Sequence, residues 1–503
     1  MLKGGIMEKI IRTNYLFDGI HPVQKGHIVM KDDKIIAKEF NWDYGLISDK
    51  RKLLCYDDDF VMPGLMDNHV FFSGYLRMQA GIDLSDCHTK AEALAKIKAV
   101  AAKKHGGPIY FHGFDCETWP EKPTSQDLDD LNYSGAISGI DQKRSYCWLN
   151  NYAKARYDLD ETGTSAEAAV KLINELLADK KELTAAYQQY EKTLLACGVV
   201  ATKEIVFDSA DYFTWRPEGK IQTRFYIQAV AESLDIPRLI NYQQTTFPKN
   251  VTFGGAKIMV DGVVAEETGD TYGAYSSGID QPQIDYNKIA YLVKACNSQN
   301  IPCCLTTEGD KAAAKAAEIL AQNSKRLPNG VYNSISDLEM ITKETAQHMA
   351  EGKIVAEIYP QVLGLNESYE KSYMEKVLPY KYASRFFNYR ALEEANILIT
   401  SGTDLPLFIT NLPEAIMRSV WRRFPQGKKR WQEENGLNCL SLLQSFTKNA
   451  FLANGIKDCG TLLKGQKAHL AIFNEDLTTQ DITRLEQAKV IATYIDGQLV
   501  YQV

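Results

Sequence analysis

Residues 61–72 read VMPGLMDNHVFF. Side chains on a strand alternate faces, so two imidazoles spaced two residues apart point the same way and can grip one metal ion together. Here the first such position is His69 and the second is Phe71. As a strand, this stretch would offer one imidazole to such a site, with the bulky Phe71 ring on the same face.

Working outward, the segment LMDNHVFF is the first of a series of strand candidates. The others are GVVATKEIV, TRFYIQAV, GAKIMVDG, IPCCLTT, SISDLEM, KIVAEIYP and NILITSGTD. Amphipathic helical stretches separate most of them, such as DKAAAKAAEILAQN after the fifth. Strands alternating with helices in this way predict an α/β chain, a (β/α)8 TIM barrel, over residues 62–455. The first two strands are far apart, so about 73–195 is read as an insertion between them. Residues 1–61 instead alternate short β-rich runs with Asp and Gly turns. Residues 456–503 do likewise and carry the hairpin signal Asp496-Gly497. These ends predict two halves of one small β-sandwich-like domain, joined if the barrel brings its own termini together.

Hydrophobic residues make up 45% of the 503 and charged residues 24%, ordinary proportions for a globular chain. A net charge of -7 repels polyanions, so no nucleic-acid partner is expected. The basic and aromatic stretch WRRFPQGKKRWQEENG, residues 421–436, then reads as an exposed loop near the barrel mouth. No run approaches about 18 consecutive apolar residues. The first residues also lack the pattern of a secretory leader, and no membrane partner is expected. Ten scattered cysteines without a Cys-x-x-Cys pair read as free thiols, which points to the cytoplasm. Only eight histidines occur, and that scarcity limits any nitrogen-rich metal site.

Several motifs now fall into one order. VMPGLMDNH follows an N-terminal half-sheet, KIMVDG lies on strand four, EGDKA opens the helix after strand five, SGTDLP ends strand eight, and FTKNAFLANGIKDCGTLLKGQKAHLAIFNEDL follows the barrel. Together they resemble the amidohydrolase superfamily, and within it the branch of N-substituted formamide deformylases and many metal-dependent hydrolases. The resemblance implies a mononuclear or binuclear divalent metal centre, zinc first, at the C-terminal mouth of the barrel. It also implies hydrolysis of a non-peptide carbon–nitrogen bond in a small molecule, such as an amide, formamide or cyclic imide.

Carried over by position, the resemblance gives metal roles to His69, to Lys257 as a carbamate and to Asp404, with Asp404 also the catalytic proton acceptor. Phe71, Thr306 and Met340 stand where the family has histidines, and Ser145 replaces a further one in the insertion. Phe71, Thr306 and Met340 are candidate substrate contacts, with His112 and Trp119 of the insertion; Tyr110 and Trp148 lie in the same region.

The lost nitrogens leave the centre open to different readings. A single ion could persist on His69, Asp404 and a carboxylate recruited from Glu266, Glu267, Glu308 or Glu339, with Tyr359 nearby. Alternatively no cofactor binds, and the Lys257 ammonium pairs with the Asp404 carboxylate where the ion would be, because each is otherwise a buried unpaired charge. The first reading gives a hydrolase with a degenerate metal site, and the second a metal-free, non-catalytic small-molecule-binding barrel. Metal-free lyase or isomerase chemistry with Lys257 as base is a third. Cys87-His88 lacks further partners and reads as structural, as does Gly309-Asp310 at a helix start. A homodimer is the expected assembly.

Overall fold

The structure is a computed structural model and describes residues 8–40, 51–141, 146–159, 165–207, 210–323, 327–328, 330–365, 376–425 and 430–503. Two compact units result: Met1–Val70 with Glu191–Ile205 and Glu218–Val503, and Phe71–Tyr190 with Val206–Pro217.

The larger unit is built on parallel strands that neighbour one another in chain order: Leu65–Val70, Val199–Val206, Gln222–Val230, Val251–Met259, Cys303–Thr307, Ser334–Asp337, Val355–Ile358 and Ile399–Ser401. We refer to them as barrel strands one to eight. Strands one, two and five are buried along their whole length, although strand one carries Asp67, Asn68 and His69 and strand two Thr202, Lys203 and Glu204. The cylinder closes just past strand eight, where the Asp404 N–H donates to the His69 carbonyl at 2.9 Å and Val70 bridges Leu405 in parallel. This is a (β/α)8 barrel. Gly402 permits the closure, since a Cβ there would lie 2.7 Å from His69 N and 3.0 Å from His69 Cα.

Crossover helices form where the sequence supplies a small or apolar face and a cap. Helix Asp310–Asn323 buries Ala312, Ala313, Ala316, Ala317 and Leu320. Helix Lys343–Glu351 begins after Thr342, whose hydroxyl accepts from the Thr345 N–H and satisfies one of the free donors of the first turn.

Strands from both ends of the chain share one further sheet in the same unit. Phe60–Pro63 is its hinge, parallel to Glu8–Leu16 on one side and antiparallel to Leu470–Phe473 on the other. Asp496 and Gly497, at φ 49° and 69°, make the tight turn between the last two strands, Val490–Ile495 and Gln498–Gln502. Ile11, Ile28, Met30, Val61, Leu470 and Ile472 form the centre of its core.

The smaller unit has its own sheet of Ile82–Asp83, Ile109–His112, Ile137–Ile140 and Cys147–Leu149. Its core gathers Phe111, Phe114, Trp119 and Trp148, with Cys87 buried among them. Among the described residues no helix is long and apolar enough to cross a membrane.

Candidate active site

Polar side chains gather at the C-terminal ends of the barrel strands, the face on which TIM barrels carry their chemistry. Strand one delivers His69. Two residues earlier, Asp67 accepts hydrogen bonds from the His69 N–H (3.2 Å), the Thr403 N–H (3.1 Å), the Thr403 hydroxyl (2.6 Å) and the Thr410 hydroxyl (2.7 Å). These bonds fix the backbone carrying His69 against the backbone carrying Asp404. Burial pushes the Asp67 carboxyl up to about 6, although all of these donors pull it down.

Lys257, near the end of strand four, reaches the same imidazole. Its Nζ lies 3.2 Å from His69 Nε2 and 3.5 Å from Asp337 Oδ2. Asp404 Oδ1 is 3.4 Å from that Nε2, and the Tyr359 hydroxyl is 2.9 Å from Nδ1. An ammonium has only hydrogens to give, so Nε2 accepts from it and Nδ1 carries the imidazole N–H. Burial first, then the charges of Lys257 and Lys203, hold the His69 pKa far below the ordinary range, and the ring is neutral. Lys203 comes from strand two and pairs with Glu357 of strand seven, both buried, with the ammonium 4.1 Å from the Tyr226 ring centre. Burial opposes the Lys203 charge, but Cys304, Glu357 and Tyr226 outweigh it and raise its pKa.

Acids crowd the ends of strands four, five and six. Ser336 donates to Asp337 Oδ2 at 2.7 Å. Just beyond, the carboxyl groups of Glu308 and Glu339 lie side by side. Burial, then contact with Glu339 and the charges of Glu339, Asp337 and Asp261, keep Glu308 well above the usual carboxylate range; burial also raises Glu339. Asp261 accepts from the Glu308, Gly309 and Asp270 N–H groups at 3.0, 2.9 and 2.9 Å. Burial pushes it up to about 7.

The structure brings Lys257 and Asp404 to the same nitrogen of His69, Nε2, with the ammonium donating to it at 3.2 Å and the Asp404 carboxylate 3.4 Å away. The acid in contact with Lys257 is Asp337. Thr306 lies buried on strand five, 3.4 Å from the Ser336 hydroxyl. Met340 lies past the end of strand six, buried and bridged to Phe386, so the residue that ends that strand is Asp337. Phe71, His112 and Trp119 belong to the smaller unit. There the Phe71 ring lies 5.7 Å from Phe207, His112 Nε2 sits 2.9 Å from the Met78 carbonyl, and the Trp119 indole donates to the Cys87 carbonyl at 3.1 Å. Ser145 lies outside the described residues.

Two features escaped the sequence. Asp337 was legible in principle, because strand five and strand six pair Thr306 with Ser336 and Thr307 with Asp337, which ends strand six at the acid. The Lys203–Glu357 pair left no local signal, since the partners are 154 positions apart.

The profile of the amidohydrolase family matches residues 57–501. The chain belongs to the amidohydrolase family. Among solved structures this amidohydrolase is similar to an uncharacterized metal-dependent hydrolase from Pyrococcus horikoshii OT3, with 17% identity, TM-score 0.78, and 95% of this chain and 99% of that one covered. It is also similar to an uncharacterized metal-dependent hydrolase from Pyrococcus furiosus, at 16% identity and TM-score 0.77, over 94% of this chain and 100% of that one. A Xaa-Pro dipeptidase with bound methionine is more distant, at 16% identity and TM-score 0.52, over 99% and 100%. No curated protein matches. Likeness at these identities is likeness of fold.

Proposed function

We propose that the barrel hydrolyses a non-peptide carbon–nitrogen bond in a small molecule, an amide, formamide or cyclic imide, with the Lys257 ammonium as its central positive charge. Family membership supports hydrolysis. The observation that carries the reading is the meeting of His69, Lys257 and Asp404 from three separate strands.

Amidohydrolases are generally dependent on divalent metal. The donors of this chain do not fit such an ion. A zinc site takes at least three protein donors, and among the described residues no three His, Cys, Asp or Glu side chains form a group able to hold one. The His69 Nε2 that a metal would need is 3.2 Å from an amine.

The side chains present divide the work. Asp404 keeps 33% of its side chain exposed, whereas His69 and Lys257 are almost wholly buried, so Asp404 is the group that water reaches. Its carboxylate takes the proton as water attacks the carbonyl carbon, and returns it to the nitrogen as the carbon–nitrogen bond breaks. The Lys257 ammonium faces the negative charge that develops on the carbonyl oxygen, in a site dry enough to strengthen the attraction. His69 and Tyr359 hold the ammonium in place.

The test is a panel of amides, formamides and cyclic imides, assayed for amine release with and without chelator, beside elemental analysis. Wild type is expected to turn over a panel member after chelation, and Asp404→Asn to lose about 100-fold or more. Turnover that requires stoichiometric metal refutes the lysine-centred version, and no turnover at any metal loading refutes hydrolysis. A second reading, a non-catalytic binding barrel, is favoured by the same contacts, because His69 and Asp337 already occupy the Lys257 ammonium. A ligand that raises Tm without being cleaved selects it.

A further inference from the structure

Charge at the mouth of the barrel does not balance. Asp261, Glu308, Asp337 and Glu339 cluster at the ends of strands four, five and six, and among the described residues only Asp337 of the four is ion-paired, with Lys257. Lys257 is held by His69 and Asp337, Lys311 by Asp270 and Arg385 by Asp310. The buried Arg422 guanidinium donates to the backbone carbonyls of Trp431, Phe387 and Phe386.

Glu339 feels the imbalance most directly. Its side chain is nearly inaccessible, at 3% residue exposure, yet among the described residues Oε1 has no hydrogen-bond partner. Burial and the Asp337 charge press against its ionisation, and the contact with the Glu308 carboxyl favours it. Its backbone cannot drift away to find a donor. Met340 N–H donates to the Glu308 carbonyl at 2.9 Å and Phe387 N–H to the Glu339 carbonyl at 2.6 Å, while Asp261 grips the Glu308 N–H. Buried polar atoms in folded proteins are otherwise almost always paired, so an unpaired one invites a donor from a bound molecule. Glu308 keeps partial exposure, so the pair is not sealed off. Asp337 connects it to the reacting centre, with Oδ2 3.5 Å from Lys257 Nζ and only Leu338 between Asp337 and Glu339 in the chain.

We infer that Glu308 and Glu339 form the specificity subsite of the barrel, and that the substrate carries a basic nitrogen, a primary ammonium remote from the scissile bond, which donates to Glu339 Oε1. The inference rests on the hydrolase reading above for the word substrate, but not for the binding. A cation inserted here satisfies the orphan oxygen and offsets the crowded carboxylates in one step.

Three amides of equal length separate the alternatives: the monoacetyl derivatives of butane diamine, of butylamine and of aminobutanoic acid, with far ends that are positive, neutral and negative. Each is titrated against the full chain by thermal shift and assayed for amine release. The positive amide is expected to raise Tm at a concentration about tenfold or more below that needed for the neutral one, and the negative amide to have no effect. Glu339→Gln and Glu308→Gln are expected to remove that preference. Equal effects of the positive and neutral amides, no effect of the positive one, or a full preference surviving in both variants overturns the subsite. Release from the neutral amide as fast as from the positive one sinks the subsite and leaves hydrolysis standing. A positive-end preference in binding with no release from any amide sinks hydrolysis and leaves the subsite standing.

Discussion

Replacing Lys203 by Met tests whether paired charges hold the interior of this barrel together. The ammonium and its partner carboxylate expose 2% and 4% of their side chains, so neither has water to fall back on. Met keeps most of the length of the lysine stem, which limits the cavity, and the loss is mainly that of the charge. Stranding one member of a buried pair costs about 3–5 kcal/mol. The contact of Lys203 with the Tyr226 ring, at 4.1 Å, is lost as well, worth about 1–2 kcal/mol more where it is desolvated. Lys203→Met is therefore expected to cost about 4–7 kcal/mol in urea unfolding at pH 7, followed by far-UV circular dichroism and read from midpoints at constant slope. Removing both charges in Lys203→Met with Glu357→Met is expected to recover most of that loss, since an apolar pair of similar volume in a buried site is often neutral. If the double variant is as unstable as the single, the charges are not coupled and the account of the pair is wrong.

Asp67 makes the stability of the barrel depend on pH. Its carboxyl is raised to about 6 from an ordinary 3.8, so the folded chain binds that proton more tightly by about 3 kcal/mol. That stabilisation is fully present below about pH 4 and lost as pH rises through about 6. Asp67→Asn cannot ionise, so wild type should lose about 3 kcal/mol relative to it between pH 4 and pH 8; a difference that stays constant with pH rules this out. Gly402→Ala should force strand eight away from His69 and destabilise the fold by about 1–3 kcal/mol. The same variant should weaken the protection of the Asp404 amide in hydrogen exchange, and unchanged protection would show that the closure tolerates a side chain.

The barrel was legible because its strands carry their own signature. Short β-rich runs alternate with amphipathic helical stretches along the chain, as Cys303–Thr307 is followed by the helix Asp310–Asn323. His69, Lys257 and Asp404, each in a short motif, are brought together by the barrel at His69 Nε2. Met340, placed by its motif at the end of strand six, lies beyond that strand, which stops at Asp337 before the chain turns through residues at φ 71° and 51°.

The order of strands and helices could be read along the chain because it depends on local pattern, and the pairing of the two chain ends in one sheet followed only once the barrel brought its termini together. The tertiary structure alone decided which charge faces which. Lys257 meets His69 and Asp337, Lys203 meets Glu357, and Glu308 meets Glu339, contacts between strands that the chain reaches only after closing the cylinder. Electrostatic attraction acts over a few ångströms in space, and no spacing along the chain records which side chains that closure brings within reach.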